Sequence, residues 1–304
     1  MTSIQKNSAL VGIVVLVLSG GLMGCSRSSP RHASSVLHER SVQTTTSTTS
    51  QQTKAPSTSG PTSASFPALI LEGLQKLGKL PFQVLAPTQV PIPSGDSDKY
   101  LGATVGSSTT SYSFNFSLTP SQLAINDSTL SDPSYLPGGA NFLGSFSEST
   151  GGSGASISSQ LSTLAGELDS TCRSQLIATT IAPTISGQSC ANGTGNTLIW
   201  SEGNWRIGVV ASNSLGPADT ALAGQIASYL SDHFLAPPTG IGVIKAQATG
   251  GQNVVDSAPG SSSTPTTSIE ITYSQLGALV QINDSLDAIG GLEMAVSVRP
   301  YNTQ

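Results

Sequence analysis

Two stretches near the C-terminus repeat one pattern of apolar and polar residues, and that repeat limits what the chain can fold into. The first is "TLIWSEGNWRIGVV" (197–210). A turn at Glu202-Gly203 makes it a β-hairpin in which Trp200 faces Trp205. Leu198, Trp200, Trp205, Ile207 and Val209 then share one face. The second stretch is "IEITYSQLGALVQI" (269–282). Aligning residues 201–204 with 274–277 sets Tyr273 at the Trp200 position. Ile271, Ala278, Val280 and Ile282 fall at the positions of Leu198, Trp205, Ile207 and Val209. A helical pattern follows each hairpin. Ala218, Leu222, Ile226, Tyr229 and Leu230 carry it in 217–234, and Leu286, Ile289, Leu292 and Val296 in 285–298, where Asp284 offers an N-cap. An apolar sheet face and an apolar helix stripe each need a partner layer. The cross-strand aromatic pair is therefore expected in the core.

Upstream segments fit the same architecture. "FPALILEGLQKLGKL" (66–80) reads as a helix with Pro67 in its first turn. "PFQVLAPTQVPIP" (81–93) reads as an extended piece at a sheet edge, since proline cannot donate to a ladder. "YLGATV", "SYSFNFSL", "NFLGSFSE" and "IGVIKAQA" read as strands. In the second of these, Tyr112, Phe114, Phe116 and Leu118 line one face. Residues 153–168 form a Ser/Gly-rich helix candidate, and 251–268 read mostly as loop. The expected fold class is α+β: a mainly antiparallel sheet with helices on one face, built partly from two β-hairpin–helix units, after a disordered stalk.

The N-terminus has its own logic. Residues 1–7 are polar and carry Lys6, and "ALVGIVVLVL" (9–18) is an apolar run too short for a bilayer span of ~20 residues. The run leads into Leu22-Met23-Gly24-Cys25, which resembles the bacterial lipobox. The resemblance implies that residues 1–24 are a signal peptide, that Cys25 becomes the new N-terminus, and that its thiol carries a diacylglycerol. Two acyl chains anchor stably where one binds reversibly, at ~0.8 kcal/mol per buried methylene. The alternative is an ordinary signal with an incidental cysteine. The chain has three cysteines. Setting Cys25 aside leaves Cys172 and Cys190, which read as one disulfide in an oxidising exterior, the alternative being two free thiols.

Residues 25–65 hold the anchor and a Ser/Thr-rich stalk with few large apolar side chains, too few to offset chain entropy. The folded domain is expected over 66–304. Between residues 26 and 81 six cations (Arg27, Arg31, Arg40, Lys54, Lys76, Lys79) stand against Glu39 and Glu72. From residue 82 onward five cations face fifteen anions. A basic stalk is attracted to anionic lipid. The acidic domain lacks the basic patch that phosphate binding needs, so nucleic acid is not expected as a partner. Charged residues make up only 10% of the chain, against ~25% in an average soluble protein. Few carboxylate pairs means little stability to lose in acid, which suits an acidic exterior.

Chemistry-bearing motifs are sparse. His32 and His38 fall in the stalk, and His233 sits at a helix C-terminus, where the dipole favours an imidazolium. Asp96-Ser97-Asp98 lacks the spacing of a calcium loop. "GGSGA" (151–155) lacks the last glycine of a nucleophile elbow. No catalytic set, metal set or cofactor is expected. The candidate ligand contacts are Glu202, Asn204 and Arg206, at the first hairpin's turn and on its non-aromatic face.

The hairpin-and-helix ending resembles an uncharacterised class of lipoproteins of Gram-positive bacteria, through Trp200, Trp205, Gly277, Ile282, Leu292, Met294, Ala295 and Ser297. That resemblance implies no activity. The expected function is a lipid-anchored extracytoplasmic binding or interaction module. Its expected partners are the membrane, through Cys25, and an envelope protein or cell-wall ligand. The alternative is an envelope hydrolase using a carboxylate pair. A deep pocket holding two carboxylates would favour the second, and a smooth sheet face the first.

Overall fold

In the computed structural model of the chain, the period-2 patterns join into one ten-stranded sheet. The structure describes residues 66–93, 100–132, 142–150, 156–172, 175–191, 195–211, 218–233, 235–236, 238–249 and 266–301. All lie within one compact unit, Ser59–Gln304. Cys25, the stalk, Asp96-Ser97-Asp98, "GGSGA" and most of 251–268 fall outside the described residues.

The elements run α1 (Ala68–Lys76), β1 (Val84–Pro87), β2 (Tyr100–Ser107), β3 (Ser111–Thr119), β4 (Phe142–Ser149) and α2 (Ile157–Ser170). Then follow β5 (Ile177–Ala182), β6 (Ile185–Ala191), β7 (Asn196–Glu202), β8 (Trp205–Ala211), α3 (Ala218–Asp232) and β9 (Gly242–Thr249). The chain closes with β10 (Thr266–Gln275), β11 (Ala278–Asp284), α4 (Ala288–Val296) and β12 (Val298–Tyr301). The sheet order is β2-β3-β4-β11-β10-β9-β8-β7-β6-β5. β8 and β9 are parallel, joined through α3; the other neighbours are antiparallel.

Both hairpin–helix units form: β7–β8 with α3, and β10–β11 with α4. The first turn falls at Gly203-Asn204, one residue later than its expected place. Trp200 therefore faces Ile207, and Glu202 faces Trp205. Gly203 explains the choice, because φ +56 at that position is left-handed backbone, which a residue without a Cβ adopts without strain. Moving the turn by one residue shifts the register by two, so the shared apolar face survives. In the second hairpin Leu276 and Gly277 take φ 52 and 81, the double left-handed form of a type I′ turn. Tyr273 faces Val280 and Ile271 faces Ile282, which matches the alignment of the two stretches.

One row of cross-strand neighbours shows where the core lies. Phe114, Phe146, Ile282, Ile271, Ile244, Ile207 and Trp200 stand side by side across seven strands. None is more than 1% exposed. Helices α1, α3 and α4 cover this first face: Gly73 of α1 lies against the Phe114 ring, α3 buries Leu222 and Ile226, and α4 buries Leu292 and Met294. Trp205 stacks at a tilt on Tyr273, with centroids 5.4 Å apart.

Helix α2 is the exception to the one-sided expectation. It joins β4, third in the sheet, to β5 at the far edge, and crosses the second face over β9 and β10. Three strands escape the sequence patterns. β5 and β6 are Ser/Thr/Gly-rich and half exposed, so they lack strict alternation. β12 begins where the expected last helix was to end. It pairs with β1 in a separate two-stranded sheet, so the proline-punctuated segment does not lie at the main sheet's edge.

Among the described residues three acidic residues are buried, Glu148, Asp219 and Asp284, and Glu148 and Asp284 are each 1% exposed. Asp284 is not the cap of α4; Asp287 is, accepting from the Ile289 N–H at 3.0 Å. Asp284 closes the preceding turn by accepting from the N–H groups of Leu286 (2.9 Å) and Asp287 (2.8 Å). Burial outweighs those bonds and pushes its carboxyl up from 3.8 to about 6. Burial likewise pushes Glu148 from 4.5 to about 7. Both groups keep a proton in the folded state at pH values where the unfolded chain has lost it. The stability they contribute is full below pH 4 or so, and is lost as pH rises through about 6 and about 7. The expected melting temperature is therefore higher near pH 5 than near pH 8, by on the order of 5 °C. A calorimetric pH series checks this; a maximum near pH 8 contradicts it.

Candidate binding groove

The second sheet face is polar because the same alternation that buries Ile and Phe turns Ser, Asn, Gln, Glu and Lys the other way. Its central row runs Ser145, Asn283, Glu270, Lys245 and Gly208 across β4, β11, β10, β9 and β8. Glu270 and Lys245 are direct cross-strand neighbours, a placement that favours opposite charges.

Helix α2 forms a wall over part of this face. Ser156 caps it by accepting from the Ser159 N–H at 3.2 Å. Leu161 and Leu168 are its buried residues. Leu168 fits where β8 has no side chain: a Cβ on Gly208 would lie 2.4 Å from Leu168 Cδ1. Asp169 accepts from Arg206 Nε (2.9 Å) and Nη2 (2.6 Å). A disulfide from Cys172 to Cys190, with Cα atoms 5.5 Å apart, ties the helix's end to β6. The expected cysteine pair is thus formed.

Between α2 and the sheet lies a cleft of about 220 Å³. Leu164, Leu168 and Val243 are its apolar lining, and Glu167, Thr171, Lys245, Glu270 and Thr272 its polar one. Lys245 and Glu270 also line a second hollow of about 350 Å³, which reaches Gln247, Ser268, Asn283, Ser145 and Phe142. The two hollows share Lys245 and Glu270, and together they make up the candidate groove with that pair at its middle. Phe142 reaches it through a register shift between Phe116 and Ser117, which sets Phe142 opposite Ser117. Phe142 is 38% exposed there.

The residues expected to bind ligand do not converge. Arg206 lies on the groove face, but its guanidinium holds Asp169 and donates to Ser201 Oγ at 3.2 Å. Glu202 belongs to the core-side face and accepts from Trp200 Nε1 at 2.7 Å. Asn204 sits in the turn, and its carbonyl accepts from the Gly242 N–H at 3.0 Å. His233 caps its own helix, stacked on Tyr229 with Nδ1 3.0 Å from the Tyr229 carbonyl. Sequence reasoning passed over Lys245 and Glu270. Each is the charged residue of an otherwise uncharged strand, on its polar side, but their juxtaposition depends on the β9–β10 pairing.

Among the described residues there is no group of three or more His, Cys, Asp or Glu side chains placed to hold a metal ion. Among them, too, no helix is long and apolar enough to cross a membrane. No protein family, curated protein or solved structure matches the chain.

Proposed function

We propose that the protein is a lipid-anchored extracytoplasmic binding module, and that the groove on its second sheet face takes a hydroxyl-rich cell-wall glycan. One observation carries the reading: an opposite-charge pair, Lys245 and Glu270, sits in the middle of a groove whose lining also offers amides, hydroxyls and one exposed ring, beside Glu167 and a short apolar wall of Leu164, Leu168 and Val243. Amide and hydroxyl side chains both donate and accept, as sugar hydroxyls do. The charged pair strengthens such bonds, and an aromatic ring suits the apolar face of a sugar. The lipid on Cys25 holds the module at the membrane, and the polar stalk gives it reach.

Calorimetric titration of the chain from Ser26 with soluble envelope glycan fragments tests the groove. Glu270→Ala and Lys245→Ala are expected to weaken binding by about tenfold or more, since each removes a charged hydrogen-bonding partner. Binding that both variants leave intact, or no binding at all, rejects the reading. A fatty-acid probe tests the anchor: label on the wild-type chain should vanish in Cys25→Ala.

A second reading has its own support. Glu167 on α2 and Glu270 on β10 line the same cleft, which is how a hydrolase presents two carboxyl groups. Under that reading Glu167→Gln and Glu270→Gln abolish glycan cleavage while leaving binding in place.

A further inference from the structure

A second polar cluster lies on the other side of the sheet, under β1. Leu85 of β1 stands opposite Pro300 of β12, which has no N–H to give. Both backbone groups of Leu85 turn away from β12 and meet side chains of the main sheet. Its N–H donates to Glu148 Oε2 at 2.8 Å, and its carbonyl accepts from the Tyr112 hydroxyl. Tyr112 Oη is also 2.8 Å from Glu148 Oε2. The two side chains thus take the place of a neighbouring strand. Leu85 is fully buried, and Glu148 Oε1 has no partner.

The proton count decides the state of this cluster. Tyr112 has one hydroxyl proton and two oxygens to satisfy, the Leu85 carbonyl and Glu148 Oε2. An ionised Glu148 leaves one of those contacts as oxygen against oxygen with no proton between. A protonated Glu148 gives its own proton to Tyr112 Oη, freeing the tyrosine proton for Leu85. Every contact is then a donor meeting an acceptor. Tyr112 on β3 and Tyr273 on β10 face the carboxyl, and burial holds both phenols un-ionised. Val280, its neighbour on β11, brings no charge. Arg299 on β12 acts on Tyr273. Among the described residues no cation pairs with Glu148.

We propose that Glu148 and Tyr112 form a proton-operated latch on β1, closed while Glu148 is protonated and released when it ionises. The latch makes the β1–β12 layer a local sensor of external acidity, independent of the groove. Release frees the Leu85 N–H and exposes Leu85 and Ala86, both fully buried when closed. The placement of Glu148 near neutrality puts the transition in a range that an envelope protein meets.

Hydrogen exchange on the chain from Ser26 tests the latch. Amides of residues 84–87 are compared with Ile244 at about pH 5.5 and about pH 8.5, after correction for intrinsic exchange. The wild-type protection of Leu85 is expected to fall about tenfold or more, with Ile244 falling less. Glu148→Gln cannot ionise, and its amide oxygen in the place of Oε2 still accepts from the Leu85 N–H although it has no proton to give Tyr112, so its protection should be flat with pH. Equal protection of Leu85 at both pH values overturns the latch. So does an unchanged drop in Glu148→Gln, or a drop shared equally by Ile244. If Glu148→Gln does not fold, a carbon-13 titration of wild-type Glu148 decides: a midpoint near 7 supports the latch, and one near 4.5 overturns it.

Discussion

Replacing Trp200 by alanine should lower stability by about 3–5 kcal/mol, the cost of emptying a large aromatic site in a core. For a domain of this size that is on the order of 10 °C in melting temperature. Trp200 is 1% exposed and ends the apolar row that runs from Phe114 across the sheet. Its Nε1–H also donates to Glu202. Trp200→Phe separates these contributions, because it keeps most of the ring and loses the bond. Its cost should be about 1–2 kcal/mol. Chemical denaturation of both variants checks the pair. Equal losses would mean that the indole hydrogen bond, and not burial, is what the site provides.

Opening the disulfide is expected to cost on the order of 3 kcal/mol, as the chain-entropy argument gives for a loop closed over 18 residues. The effect reaches beyond stability. Helix α2 buries few apolar residues, so it depends on Leu168 against Gly208, on Asp169 with Arg206, and on Cys172 with Cys190. A Cys172→Ser/Cys190→Ser protein should melt earlier and lose glycan affinity together, because the groove loses its wall. Thermal melting and titration of the double variant decide. Unchanged affinity would place the binding surface away from α2.

Much of the first face was legible in the sequence. Alternation in "SYSFNFSL" and in the two hairpins shows which residues point inward, and the core contains Tyr112, Phe114, Phe116, Trp200 and Tyr273. The first turn was misplaced by one residue, because Glu202-Gly203 and Gly203-Asn204 both suit a two-residue loop and pattern alone does not separate them. Strands β5 and β6 were missed for a different reason. They lie near one end of the sheet and carry mainly small polar side chains, so no apolar period marks them. The groove was legible only in part. The polar side of each strand could be read, but which polar residues become neighbours depends on strand order. The parallel β8–β9 pairing and the crossing of α2 are long-range features with no local signal. Glu148 was hidden for the same reason: in "NFLGSFSE" it reads as a strand-end charge, and only the return of β1 encloses it.

Charge tells a consistent story at both levels. The low charge content leaves few carboxylate pairs for acid to break. Glu148 and Asp284 add stability on acidification, since burial raises both. A chain built this way gains from mild acid.

The central claim is that the second sheet face binds a glycan through Lys245 and Glu270. Amide chemical shifts of the nitrogen-15-labelled chain from Ser26, followed while soluble envelope glycan is added, test it most directly. The account predicts saturable shifts at Lys245, Gln247, Ser268, Glu270 and Asn283, with Ile207 and Ile271 in the core unmoved. Shifts confined to other surfaces, or none at saturating glycan, would contradict it.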